Sequence, residues 1–300
     1  MASKHDLDFS YSTIDEIFRL SIGENGDFSG AMYNGDFSLT LEEAQRAKHQ
    51  FMYDSLHIQK GNKVLDMGCG WGPFLKFVKD HGAKGIGLTL SKGQLSACRN
   101  NGLEVYLKDC RKISPADFGF FDAIASVGAF EHFCSIEEWQ AGNQEKIYSD
   151  FFQTVNDLLP KGGRLYLQTM TFGENMIDFE DMDINAPQGT PPHLLALMVK
   201  QFPGSWLPYG NDMILNCAKP NFKLISSSSG RLDYIETINQ WRKRFRKFNL
   251  KKYLLYLSLL PLYFTDKEFQ HRVTVFKISP NKLCFEKGIM DHYRMVLEKK

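Results

Sequence analysis

The stretch Val64-Leu65-Asp66-Met67-Gly68-Cys69-Gly70-Trp71-Gly72 constrains the fold more than any other part of the chain. An apolar run ends at an acidic residue, and glycines follow at three alternate positions. Glycines there let the backbone turn tightly and approach a ligand at the carboxyl end of a parallel strand, where open α/β sheets bind nucleosides. The spacing GxGxG differs from the dinucleotide fingerprint GxGxxG. A glycine-rich turn that binds nothing would have the same appearance, so the neighbouring segments must decide between the two.

Apolar periodicity extends the pattern on both sides. Short strands are expected at 63–67, 85–89, 104–107, 122–127 and 164–170, with helices at 74–80, 92–101 and 144–159. Strands alternating with helices of this length imply βαβ crossovers and a parallel sheet covered on both faces. Pro160-Lys161-Gly162-Gly163 stops one helix and launches the next strand. Segments 222–227 and 293–297 read as closing strands, so the expectation is a seven-stranded, mostly parallel, Rossmann-like α/β fold. Before it, residues 13–22 have helical spacing, and Thr40 with Glu43 forms a capping box opening a helix to about His57. The chain thus divides into an N-terminal helical cap (1–60), a core (61–171), a proline-, glycine- and methionine-rich lid insertion (172–220) and a C-terminal part of the core (221–300) with a basic-to-apolar helical insertion.

Composition removes several function classes. Thirty-six basic residues against 35 acidic ones offer no electrostatic case for nucleic acid. The cysteines at 69, 98, 110, 134, 217 and 284 show neither CxxC pairs nor metal-ligand spacing, so reduced thiols in a cytoplasmic protein and no metal site are expected. The first ten residues lack the apolar core of a signal peptide, and the apolar run at 253–264 is short and contains Pro261. The expectation is a cytoplasmic protein, soluble or peripheral to a membrane.

Candidate site residues cluster at strand ends. After the second strand, Thr89-Leu90-Ser91 leads to Gln94, and Thr89 or Gln94 can bond a nucleoside hydroxyl. Nicotinamide enzymes place an acidic residue here, so NAD is disfavoured. Asp109-Cys110, at the third strand end, suits an adenine contact or simply a turn. The fourth strand ends at Ser126-Val127-Gly128-Ala129-Phe130-Glu131-His132-Phe133, where an acid–base pair is either catalytic or a satisfied structural pair. His132 can face a cofactor or pack against the sheet.

These motifs carry a family resemblance. From about Phe18 to Tyr234 the chain resembles the cyclopropane-fatty-acid synthases, including the mycolic acid cyclopropane synthases. The resembling segments are Phe28-Ser29-Gly30-Ala31-Met32-Tyr33, Leu39-Thr40-Leu41-Glu42-Glu43-Ala44-Gln45, the glycine loop, the turn at 87–94, the Glu131-His132 segment, and Phe202-Pro203-Gly204 with Leu207-Pro208. The resemblance implies S-adenosylmethionine as methyl donor. It would be held by Phe28 and Ser29, by Asp66, Gly68, Cys69 and Gly70, by Thr89, Leu90 and Gln94, by Asp109 and Cys110, and by Gly128 and His132. It also implies an apolar tunnel for an unsaturated lipid or other apolar acceptor, and a bicarbonate ion as base, held by a cysteine, a glutamate, a histidine and a tyrosine. Glu131 and Tyr234 match the last set, whereas Gly30 stands at the cysteine position and Gln168 at the histidine position. An anion is then held less well, which leaves methyl transfer intact and ring closure open. Glu131, Tyr234 and Gln168 are the catalytic candidates.

Two features admit several readings. Arg242, Lys243, Arg244, Arg246, Lys247, Lys251 and Lys252, interleaved with aromatics, read as a solvated helix face or as a contact for an anionic membrane surface. Methionines 170, 176, 182, 198 and 213 suit an adaptable apolar pocket or ordinary gap-filling. Competing functions are a small-molecule methyltransferase acting on carbon, nitrogen or oxygen, and a non-catalytic lipid-binding protein of the same fold.

Overall fold

The computed structural model describes residues 22, 26–202, 204–266, 270 and 280–300. Most of the segment expected as a helix at 13–22 lies outside these residues, as does Pro203. Helix α1 (Leu41–Ser55) opens on the expected capping box, in which the Thr40 amide donates to the Glu43 carboxylate at 2.8 Å. Strands β1 (Lys63–Met67), β2 (Lys84–Thr89), β3 (Glu104–Leu107), β4 (Ala123–Val127), β5 (Arg164–Phe172), β6 (Phe222–Ser229) and β7 (Met290–Lys299) form one seven-stranded sheet in the order β3-β2-β1-β4-β5-β7-β6. The first five are parallel, and β7 inserts antiparallel between β5 and β6. This is the Rossmann-like arrangement expected from the sequence. Both β5 and β7 outrun their expected limits, and the extension of β7 to Met290 brings His292 into the sheet.

Strand alternation decides which face each side chain covers. On β1, Leu65 and Met67 turn toward α4 (Gln144–Leu158), meeting Tyr148, Phe151, Phe152 and Val155. Val64 turns the other way, onto Met52 of α1 and Phe74 and Val78 of α2 (Pro73–Asp80). Each such side chain, fully buried, contributes about 1.5–3 kcal/mol. Helix α3 (Lys92–Asn100) packs beside α2 through Cys98 and Leu75.

A further apolar cluster sits over the carboxyl end of β5. Met170 and Phe172 meet Leu194, Leu195 and Met198 of α5 (Pro191–Gln201), together with Trp206. Past this roof, α6 (Gly210–Ala218) returns to the main core, its Ile214 and Cys217 sharing a cluster with α4. Helix α7 (Arg231–Arg246) joins the roof through Tyr234 and Ile238, and α9 (Pro280–Glu286) through Cys284 and Phe285.

Helix α8 (Leu250–Thr265) follows α7 at a corner closed by Lys252, whose ammonium donates to the carbonyls of Phe245 and Lys247. Lys252 is therefore buried, and Arg244 pairs with Glu42, so neither behaves as a solvated charge of the basic run. Among the described residues no helix is long and apolar enough to cross a membrane.

Candidate active site

The glycine loop is shaped by close approach. Gly68 has φ +90°, and a Cβ added there would lie 2.4 Å from that of Ala129, which ties the loop to the end of β4. Its amide and that of Cys69 both donate to the Leu88 carbonyl, at 3.0 and 2.9 Å. Gly70, at φ +55°, has nothing within 4 Å of an added Cβ, so the loop presents bare backbone to open space. Beneath it Asp66 is buried, and burial first, then the Asp27 charge, push its carboxyl up to about 7. A buried carboxyl of this kind favours a cationic ligand, which would restore its ionised form.

The next two strand ends supply polar groups. The Thr89 hydroxyl donates to Gln94 Oε1 at 2.7 Å, committing the oxygen end of that amide. Its NH2 end could donate to a ribose hydroxyl. Leu90 is exposed at the rim. Asp109 pairs with Arg111 at 2.9 Å, and burial pushes the adjoining Cys110 thiol up to about 12, so that thiol is no nucleophile.

Residues 27–34 form a clasp across the sheet. Ser29 donates to Asp27 at 2.6 Å, and Asp27 also pairs with Lys48 at 2.6 Å and His49 at 3.0 Å. Burial alone would raise the Asp27 carboxyl, but the Lys48 charge and the hydrogen bonds from His49 and Lys48 outweigh it and hold it below the usual range. Phe28 stacks on Trp241 with centroids 4.8 Å apart and stands edge-on to Trp71. Gln168 Nε2 donates to the Gly30 carbonyl at 3.0 Å while its Oε1 accepts from Tyr166 at 2.8 Å. Arg294 donates to the Ala31 carbonyl at 2.6 Å and pairs with Asp233 at 2.9 Å.

Glu131 lies in a short 3-10 turn, Phe130–His132, just past β4. Its carboxylate accepts from the Met170 amide at 3.1 Å and from Thr169 Oγ1 at 3.2 Å. Burial outweighs these bonds and pushes its pKa up to about 7. Gly128, at φ +69°, leaves room beside it, an added Cβ lying 3.8 Å from Glu131 Oε1. Glu131 and His132 face a cleft walled by Met170, Phe172, Leu195, Met198, Phe202 and Met290. His132 Nδ1 is 2.9 Å from Ser205 Oγ, and burial pushes its pKa down to about 4, so the ring is neutral. Of the expected methionines, 170 and 198 line the cleft. Tyr234 is buried with its ring 4.9 Å from those of Phe285 and His292.

Sequence reasoning missed Asp27, Lys48, Asp233, His292 and Arg294. Their contacts join segments up to 263 residues apart, so no local spacing reports them. The one available signal is that His292 and Arg294 stand at alternate positions beside Met290, placing two polar groups on one buried face of the strand.

Open backbone at the end of β1, polar groups at the next strand ends and a buried carboxylate over an apolar cleft define an S-adenosylmethionine-dependent methyltransferase. The family model for mycolic acid cyclopropane synthetase matches residues 2–256, and the chain belongs to that family. Cyclopropane mycolic acid synthase MmaA2 of Mycobacterium tuberculosis is 30% identical over 241 residues, 79% of this chain and 80% of the relative. Cyclopropane mycolic acid synthase 2 of Mycobacterium bovis is 28% identical over 236 residues, 77% of this chain and 76% of its own length. Among solved structures, mycolic acid cyclopropane synthase CmaA1 complexed with SAH and CTAB superposes with a TM-score of 0.76 at 25% identity, covering 99% of this chain and 98% of that one.

Proposed function

We propose that this enzyme alkylates a carbon–carbon double bond of an unsaturated lipid chain lying in the cleft. The observation that carries the reading is Glu131, a buried carboxylate at the head of an apolar cleft. Attack of the alkene on a sulfonium methyl leaves a positive charge on the neighbouring chain carbon. A carboxylate placed there stabilises that charge electrostatically, and apolar walls keep out the water that would quench it. The donor's methyl-bearing end would rest against Gly68, Gly70 and Ser29, its ribose near Gln94 and its adenine between Leu90 and Asp109. His132, held by Ser205, would close the cleft toward the donor. Gln168 acts by fixing the Gly30 carbonyl, and so the clasp.

The test is incubation with S-adenosylmethionine carrying a trideuterated methyl group and vesicles of palmitoyl-oleoyl phosphatidylglycerol, followed by mass spectrometry of the acyl chains. Labelled chains are expected; label appearing only on added amines or phenols would overturn the lipid reading in favour of small-molecule methylation.

Delivery of such a substrate is served by α7 and α8. Lys243, Arg246 and Lys247 are exposed at the corner, next to an exposed apolar row comprising Phe248, Leu250, Leu254, Leu257 and Phe264. Basic groups beside an apolar helix face fit the surface of an anionic bilayer, each charge contributing about 1 kcal/mol near it. The protein would then work in the reducing cytoplasm, which suits its six buried free thiols. Replacing Leu254 and Leu257 by Glu is expected to abolish sedimentation with anionic vesicles; unchanged sedimentation would sink this reading.

A further inference from the structure

The anion that the family resemblance implies does not fit this site. A side chain at position 30 would start 3.1 Å from His292 Cε1, 3.2 Å from Tyr234 Cγ and 3.4 Å from His292 Nε2, so two rings already fill that space. Gln168 spends one end on Tyr166 and the other on the Gly30 carbonyl. Neither position offers a donor dedicated to an anion.

What stands there instead is an imidazole. His292 lies directly across from Met170 in the β5–β7 ladder, so both side chains share one face of the sheet. Met170 lines the cleft and its amide holds Glu131, and Met290, the next residue on that face of β7, also lines the cleft. His292 is 2% exposed, its ring 4.9 Å from that of Tyr234; its Nδ1 lies against the Gly230 backbone, whereas its Nε2 lies on the side of Gly30, 3.4 Å from where a side chain there would start.

The geometry points to His292 as the proton acceptor of the alkylation, taking the place of a bound anion. This rests on the alkene reading above. The alkene π pair forms a bond to the donor methyl carbon, and the carbon–sulfur pair leaves with S-adenosylhomocysteine. The imidazole lone pair then takes one proton from the transferred methyl, and the freed C–H pair closes a three-membered ring onto the cationic carbon. Taken instead from a neighbouring chain carbon, the proton leaves a methyl-branched alkene. In either case one alkene and one sulfonium give one product, one thioether and one proton.

The acceptor must be neutral, and the surroundings keep it so. Burial acts first, then the charges of Arg294 on the same strand and Lys48 on α1, and together they outweigh a hydrogen bond to the Gly230 backbone and lower its pKa well below 6.5. A weak base suffices, because a carbocation is a far stronger acid than an imidazolium.

The experiment compares wild type, His292→Gln and His292→Gly on the phosphatidylglycerol vesicles, in buffers with and without bicarbonate, with donor affinity measured in parallel. Expected are wild-type turnover indifferent to bicarbonate, a loss of about 10²–10⁴-fold in His292→Gln at unchanged donor affinity, and partial rescue of His292→Gly by added imidazole. His292→Gln turnover within about threefold of wild type, or wild-type turnover that stops when bicarbonate is removed, would overturn the assignment. Wild type that binds donor but labels no lipid would overturn the alkene reading itself, and the role of His292 with it.

Discussion

Among the described residues Asp66 and Glu131 are the two carboxyls that burial holds near pKa 7, and the sign of that shift fixes what each should do. A carboxyl raised in the folded state contributes stability that is fully present below its unfolded value near 4 and lost as pH rises through about 7. Asp66→Asn and Glu131→Gln should therefore each stabilise the donor-free enzyme at pH 8 by on the order of 1–3 kcal/mol, read as a rise in its melting temperature. The two variants should then part. Glu131→Gln is expected to bind donor normally and turn over about 10²–10⁴-fold more slowly, with the acid limb near pH 7 gone from its rate profile. Asp66→Asn should weaken donor binding instead, since a carboxyl drawn into ionisation by a cationic ligand releases a proton. Calorimetry in buffers of different ionisation enthalpy reads that proton directly: wild-type binding that tightens from pH 6 to 8 is expected, and pH-independent binding would remove Asp66 from the donor site.

Individual elements were legible in proportion to how local their causes are. The capping box at Thr40, the glycine loop after β1 and the turn at Pro160 rest on residues within a few positions of one another, and the structure has them where spacing put them. The five parallel strands followed from alternation, and the two closing strands from the apolar runs at 222–227 and 293–297. Strand ends were less legible, because the first half of β7 carries His292 and Arg294, polar residues whose burial depends on α7 and the clasp. Within the site, Glu131 was visible from its place after a central strand, whereas the Asp27–Lys48 pair had no signature in spacing. The corner between α7 and α8 shows the same limit: a lysine that reads as a surface charge serves as a C-terminal cap. Lys252→Met should leave two helix-end carbonyls unpaired and cost about 1–3 kcal/mol by thermal or denaturant unfolding. Lys243→Met, exposed on the same segment, should fall within about 0.5 kcal/mol of wild type.

At the scale of the whole molecule, one buried ion pair joins three distant parts of the chain. Arg294 on β7 holds Asp233 on α7 and the Ala31 carbonyl of the clasp, and Asp233 also accepts from the Asn34 amide at 3.1 Å. Removing one partner strands a buried charge, so Asp233→Asn should destabilise by about 3–5 kcal/mol and loosen donor binding together with it. Donor at 100 times the wild-type dissociation constant should add about 2.7 kcal/mol to the stability of wild type and less to that of the variant.

The insertion of β7 between β5 and β6 also sets an order of assembly. The glycine loop and its neighbours lie within residues 63–127, while the clasp and the wall of the cleft wait for a strand that begins at Met290. Contacts spanning that much chain close a longer loop than those within residues 63–127 and are expected to form after them. A folding intermediate would accordingly have somewhere to dock a methyl donor before it has anywhere to spend one, so the reactive sulfonium meets a lipid only in a molecule whose last strand is already in place.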